Sequence, residues 1–306
     1  MEFLKLLESI RTPALDQFFS LITHLGGEIA LIVLALVVFW CMGKAQGLYL
    51  LTVGCIGTTV NQFLKITFRI PRPWVRDPSF TIVESARADA GGYSFPSGHT
   101  QNAFGVFGTI ATMSKRRPAR FLLWLLASLI AFSRMYLGVH TPMDVGVSIL
   151  LALVLIFAVQ PLFRDFDRQP QRGLWILLAL SGLNVLYLLY AAFWHFPADA
   201  DQALLSHGVE NAAKLTGALF GMTIGYWVEL KWIRFSPKAS LPGQILKCVL
   251  GIGIILALKE GLKPLLGDSL IGGGIRYGLL TLFASAVWPL SFPLFQKIRK
   301  REEPSC

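Results

Sequence analysis

Ser133-Arg134-Met-Tyr-Leu-Gly-Val-His140-Thr-Pro-Met-Asp144 runs directly into Val145-Gly-Val-Ser-Ile-Leu-Leu-Ala-Leu-Val-Leu-Ile-Phe-Ala-Val159. The second half has no charged residue, and with its flanks it is long enough to cross a bilayer as a helix. The first half gathers an arginine, a histidine and an aspartate at the mouth of that helix. Ionisable groups beside hydrocarbon are costly, so they are candidates for function rather than decoration. Outward from this stretch the pattern repeats. Apolar windows read as spans at 28–41, 46–68, 99–113, 121–138, 143–163, 173–194, 208–230, 243–262 and 272–295, nine in all. The first and third are short for a bilayer and must be tilted, extended or partly covered by protein. Composition agrees: 54% of the 306 residues are hydrophobic and 15% charged, against about 25% charged in soluble domains. The expected fold is an all-α integral membrane protein, a helical bundle with about nine transmembrane spans.

The first 27 residues differ from the rest. Phe3, Leu4, Leu7 and Ile10, then Leu15, Phe18, Phe19 and Ile22, recur at helical spacing among charges. That predicts helices lying in the membrane interface; no apolar core with a cleavage site is read there as a removable signal. An odd number of spans puts the two termini on opposite sides. Fifteen of the 28 basic residues fall on one side: Lys44, the 115–120 cluster, Arg164, Arg168, Arg172, the 231–238 loop and the 297–301 tail. The positive-inside rule then makes the tail cytoplasmic and the His140 end external. The net charge of +10 is accordingly topology and headgroup attraction. A nucleic-acid partner is excluded, since the cations are dispersed over short loops rather than gathered on one face. Cys41, Cys55 and Cys248 lie in or near spans and Cys306 is the last residue. Their spacing matches neither a zinc site nor a disulfide framework, and they are expected to be buried small hydrophobes.

Two further polar islands share the external side with the first. One is Lys65-Ile-Thr-Phe-Arg-Ile-Pro-Arg72-Pro73, the other Pro96-Ser97-Gly98-His99. Ser97 is a good N-cap, and the free N–H groups of the turn after it, with the helix dipole, suit an anion. Gly98 lets the backbone approach that anion closely. The plainer reading is that Ser97 only caps. In the His140 island, Thr141-Pro142 is a helix start, and Asp144 four residues beyond His140 can orient the imidazole and free its other nitrogen for the site. Asp144 completing a capping box with Thr141 is the plainer alternative. Lys65, Arg72 and Arg134 supply the charge that phosphate oxygens need. Snorkelling to the interface is kept for Arg69, Arg76 and Arg87. No set of metal-ligand spacing accompanies these groups, so the expected chemistry uses no metal and no cofactor. From the residues alone, either histidine can be the nucleophile.

These islands resemble the signature of the type 2 phosphatidic acid phosphatase superfamily, the lipid phosphate phosphatases. The pattern is Lys65, six residues, Arg72-Pro73; then Pro96-Ser97-Gly98-His99; then Ser133-Arg134, five residues, His140, three residues, Asp144. The resemblance covers roughly residues 1–163, and the stretch from Leu15 to Gly26 looks like the family's interfacial helix. It implies a metal-independent phosphatase working through a phosphohistidine. His140 is then the nucleophile and Asp144 its orienter. His99 protonates the leaving oxygen, and Lys65, Arg72, Ser97, Gly98 and Arg134 hold the phosphoryl oxygens. Two departures from the commonest bacterial members stand out: no span precedes the interfacial helix, and about 140 residues with three or four spans follow the core. An external N-terminus and nine spans look more like a glucose-6-phosphatase architecture.

The expected organisation is 1–27 interfacial helices, 28–165 phosphatase core and 166–306 a transmembrane extension with a basic cytoplasmic tail. Substrates are expected to be lipid phosphates or pyrophosphates met at the outer face of a bacterial plasma membrane, with membrane lipids as surroundings. The alternatives are a phosphatase of soluble external esters, a lipid phosphotransferase, and a transporter of anionic cargo, for which inverted repeats would be the sign; none is seen. In the extension, Gly217, Gly221 and Gly225 at four-residue spacing predict close helix packing, within the chain or in an oligomer. Glu210 and Lys214 are expected to pair, and His195 and His207 to sit in a solvated loop.

Overall fold

The structure is a computed structural model and describes residues 1–298 apart from 89, 198, 199 and 268, with the side chains of 28 and 29 also left aside. Cys306 and most of the basic tail lie outside the described residues. Among the described residues there are thirteen α-helices: α1 Glu2–Ser9, α2 Pro13–His24, α3 Glu28–Cys41, α4 Lys44–Phe68, α5 Pro73–Arg76, α6 Gly98–Met113, α7 Arg117–Tyr136, α8 Pro142–Val159, α9 Arg172–Phe193, α10 Gln202–Val228, α11 Leu241–Leu266, α12 Leu270–Leu282 and α13 Phe292–Gln296. No strand occurs among the described residues. Local chemistry sets the helix starts. Thr12, Ser97, Thr141, Ser240 and Ser269 each accept an N–H of the first turn, and such a cap contributes about 1 kcal/mol.

A helix forms at each of the nine predicted spans. Among the described residues, six are long and apolar enough to cross a membrane: Lys44–Arg76, Arg117–Tyr136, Pro142–Phe163, Arg172–Phe193, Leu241–Leu266 and Leu270–Gln296. The other three fall short for identifiable reasons. α3 has 14 residues, α6 has 16, and the apolar stretch of α10 is interrupted by Asn211, Lys214 and several glycines.

The chain divides into two compact units. The first comprises Met1–Ile32, Tyr49–Arg164 and Phe193–Gly208. In it α6 packs on α7 and α8, and α2 lies along α7. The N-terminal helices turn one face to protein and the other outward. Leu4, Leu7, Phe19 and Thr23 are buried, while Phe3, Leu6, Phe18 and Leu21 are exposed. Leu4 and Leu7 pack with Phe80, and Phe19 stacks against Tyr136 at 4.4 Å between ring centroids. Polar ties reinforce that packing: Tyr136 Oη donates to Asp16 Oδ1 at 2.8 Å, and Arg11 Nε to the Tyr136 carbonyl at 3.1 Å.

The second unit comprises Val33–Leu48, Asp165–Ala192 and Val209–Cys306. Its glycine stripe packs as predicted, and the partner is α12 of the same chain. A Cβ on Gly217 would overlap the Gly274 carbonyl, and one on Gly221 the Gly278 carbonyl. The contacts advance together along both helices, so α10 and α12 run parallel with their backbones touching. The expected Glu210–Lys214 pair is present at 3.6 Å. His195 is exposed outside helix, but His207 lies on α10, because Asp201 caps that helix several residues earlier than the hydrophobic pattern suggested. The cysteine reading needs correction: of the three described cysteines Cys55 is buried, while Cys41 and Cys248 are half-buried with their sulfurs 3.3 Å apart.

Candidate active site

The three islands meet in the first unit. The start of α6 and the turn between α7 and α8 are brought together by packing of α6 on both of its neighbours, and the end of α4 is tied to the loop before α6 by the Lys65 bond to the Tyr93 carbonyl. Ser97 caps α6 with its hydroxyl, which accepts from Thr100 N at 3.4 Å and Thr100 Oγ1 at 2.9 Å. Its own N–H donates to the Asp144 carbonyl at 3.2 Å. That bond joins the second island to the third through backbone alone, and both Ser97 and Asp144 are buried.

Arg72 is the centre of the arrangement. It is 5% exposed, and its guanidinium is fixed by four acceptors. Nε donates to the Gly92 carbonyl at 3.1 Å, and Nη2 to the Gly91 carbonyl at 2.9 Å. Nη1 donates to the Val139 carbonyl and to His140 Nε2, both at 2.9 Å. Guanidinium has no acceptor lone pair, so Nε2 must be the acceptor in that last bond. The His140 proton is therefore on Nδ1, which faces Asp144 Oδ2 at 3.5 Å. The tautomer with a lone pair on Nε2 is thus selected from the arginine side, with the carboxylate behind it. Lys65 donates to the Tyr93 carbonyl at 2.8 Å, so the 91–93 turn holds two of the cations at once.

Asp144 caps α8 and also lies beside His140. The capping box is present: Thr141 N–H donates to Oδ2 at 2.8 Å and Asp144 N–H to Thr141 Oγ1 at 3.2 Å. The same Oδ2 backs His140, so the cap aims the carboxylate. A residue the sequence reading missed completes the shell. Ser94 Oγ donates to Asp144 Oδ2 at 2.6 Å and is itself buried. A second missed residue is Thr23, whose Oγ1 accepts from Arg134 Nη1 at 2.7 Å. Arg134 is fully buried. Its tie to α2 brings the N-terminal helices into the site, and Gly26, just beyond α2, approaches the His99 carbonyl.

His140 lies in the turn between spans, and its imidazole is pushed well below the ordinary histidine range. Burial is the first cause, followed by the positive fields of Arg72, Lys65 and Arg134 and by His99. All four of those groups therefore lie near enough for their fields to reach the His140 ring. Of the arginines expected to snorkel, Arg69 bonds the Ile66 carbonyl, and Arg87 pairs with Glu84 at 2.6 Å and lies over the Trp74 ring that Arg72 also approaches. Among the described residues no group of three or more His, Cys, Asp or Glu could hold a metal ion.

Comparison with known proteins bears on this site. Residues 46–168 match the PAP2 superfamily, and residues 213–301 match the transmembrane extension of PAP2 superfamily phosphatases. A probable sphingosine-1-phosphate phosphatase of Dictyostelium discoideum is 25% identical over 98% of this chain and 74% of its own. An undecaprenyl-diphosphatase of Bacillus subtilis is 32% identical over 52% of this chain and 81% of its own. A phosphatidylglycerophosphatase B of the same organism is also 32% identical, over 53% and 80%. Identity at that level across most of two phosphatases, with a separate match to the extension, settles the lineage: this chain belongs to the PAP2 superfamily and is a multi-pass membrane phosphatase.

Proposed function

We propose that the chain hydrolyses phosphate monoesters or diphosphates of lipids at the outer membrane face, through a phosphohistidine on His140. The observation that carries this reading is the Arg72–His140–Asp144 line, with an Nε2 lone pair in front and a carboxylate behind. Phosphoryl oxygens take over Arg72 and Arg134 as bidentate partners, Lys65 as a point charge, and the free N–H groups at Gly98 in the first turn of α6. His140 Nε2 then attacks phosphorus in line. The N–P bond forms as the P–O ester bond breaks, and His99 gives its proton to the departing oxygen. In the second half, His99 takes a proton from water, the water oxygen attacks phosphorus, and inorganic phosphate leaves with Nε2 restored.

The substrate is a lipid because a site at the ends of spans admits a headgroup while the tail stays in the bilayer. The relatives' names support this class: sphingosine-1-phosphate, undecaprenyl diphosphate and phosphatidylglycerophosphate share a phosphoryl group and an apolar tail, and little else. In the proposed topology nine helices span, with α3, α6 and α10 sheltered by protein, basic loops and tail inside and the site outside. Residues 1–27 lie in the interface, 28–165 form the core and 166–306 the extension.

The test is phosphate release by purified protein in detergent with EDTA, over lipid monophosphates, lipid diphosphates and soluble esters. Lipid phosphates should turn over, and EDTA should leave the rate unchanged. Loss of turnover in EDTA with recovery in magnesium would overturn the mechanism; turnover of soluble esters alone would overturn the substrate class.

A further inference from the structure

On α4, one turn before Lys65 and therefore on the same face, lies Asn61. It is 2% exposed, and among the described residues neither its Oδ1 nor its Nδ2 has a hydrogen-bond partner. Buried amides are almost always bonded, and one left unpaired calls for an explanation. The carboxamide is not turned into apolar packing. Its Oδ1 is 3.9 Å from where a Cβ on Gly98 would stand, so it lies against the first residue of α6, where the phosphoryl group is proposed to bind. A half-turn about the last side-chain torsion exchanges the two ends of the amide and presents Nδ2 there instead.

We infer that Asn61 is a substrate-contacting residue whose Nδ2 donates to a phosphoryl oxygen held at the start of α6, an inference that rests on the proposed phosphatase site. Two independent features agree on it: a sixteen-residue helix whose first-turn N–H groups suit an anion, and a donor side chain buried beside that start with nothing to bond among the described residues. The role differs from those of the cations. A neutral donor adds direction without charge, so it discriminates oxygen geometry rather than net charge. Gln101 provides an internal comparison. It is equally buried and its Oε1 also has no partner among the described residues, but it faces Gly57, one turn of α4 further from Lys65.

Orthovanadate serves as the probe, as inhibitor of phosphate release by the full-length protein in detergent, with thermal unfolding read in parallel. Asn61→Leu removes the donor at similar volume and should weaken vanadate inhibition about tenfold; Asn61→Asp sets a carboxylate against the anion and should weaken it about a hundredfold or more. Gln101→Leu should stay within about threefold of wild type. Inhibition of Asn61→Asp and Asn61→Leu within about threefold of wild type would overturn the inference. So would a loss in Gln101→Leu equal to that in Asn61→Leu, which would mark a loosened α4–α6 seam. Should Asn61→Asp fail to fold, Asn61→Leu against Gln101→Leu decides alone. A wild-type protein that releases no phosphate and ignores vanadate would instead refute the phosphatase site itself, a result separate from these.

Discussion

Replacing Asp144 by Asn removes one charge and little else. The amide oxygen can still accept from Thr141 N–H and Ser94 Oγ, which now bond Oδ2 at 2.8 and 2.6 Å, so the start of α8 should survive. What disappears is the negative charge 3.5 Å from His140 Nδ1. As the proposed N–P bond forms, positive charge develops on the ring. At that separation and an effective dielectric near 20, a carboxylate contributes about 5 kcal/mol. The amide dipole recovers part of it, leaving a loss of about 2–4 kcal/mol, or about 30- to 1,000-fold in kcat. Steady-state phosphate release should show that drop, with the thermal unfolding midpoint close to wild type. A kcat within about threefold of wild type in folded protein would refute the reasoning, reducing Asp144 to its capping role.

Four more outcomes are expected. His140→Ala should be inactive on every substrate, whereas His99→Ala, losing about 10²–10⁴-fold on ordinary esters, should recover partly on p-nitrophenyl phosphate, whose leaving group needs no proton; equal recovery of both would remove the nucleophile assignment. The depressed His140 pKa means that its proton binds only below the ordinary 6.5. Its ring NMR signals in ligand-free protein should therefore stay level from about pH 7.5 to about pH 6, a window in which a free histidine titrates. With the native cysteines replaced by serine, an impermeant thiol reagent on intact cells should label Ala88→Cys and spare Lys115→Cys, both exposed positions; the reverse would invert the topology. Gly217→Ala should destabilise by about 1–3 kcal/mol or more, because its Cβ meets the Gly274 backbone, which cannot yield. Gly182→Ala, with nothing within 4 Å, should be neutral in the same melting assay.

The helices were legible because apolar runs between polar islands have few other solutions, and the helix starts because Ser97, Thr141 and their prolines are local signals. The seat of each island at a helix end was legible for the same reason. Contacts made across the fold were not. Ser94 sits in a Gly-Gly-Tyr-Ser turn with no periodicity to point it at Asp144. Thr23 reads as one position of an amphipathic helix, and only the docking of α2 on α7 delivers it to Arg134. Arg72 stood out in the sequence as a candidate phosphate cation, but its bond to His140 Nε2 depends on the fold of the 91–93 turn. Membrane crossing is the opposite case: the hydrophobic pattern marked nine spans, whereas length and polarity set α3, α6 and α10 apart. The glycine stripe showed that α10 approaches something closely; that the neighbour is α12, in parallel, is a property of the tertiary structure alone.

The guanidinium seated on His140 Nε2, the proposed nucleophile, also bears on what the enzyme leaves alone. A bilayer is crowded with carboxylic esters, and a naked imidazole among them would be an acyl-transfer catalyst. Here the Nε2 lone pair is engaged by Arg72, and a neutral ester carbonyl has too little charge to draw the arginine away. A dianionic headgroup has enough. In the proposed mechanism the resting nucleophile is thus masked toward the commonest electrophile around it and unmasked by the phosphate it would attack, so chemoselectivity would arise from a competition for a single cation.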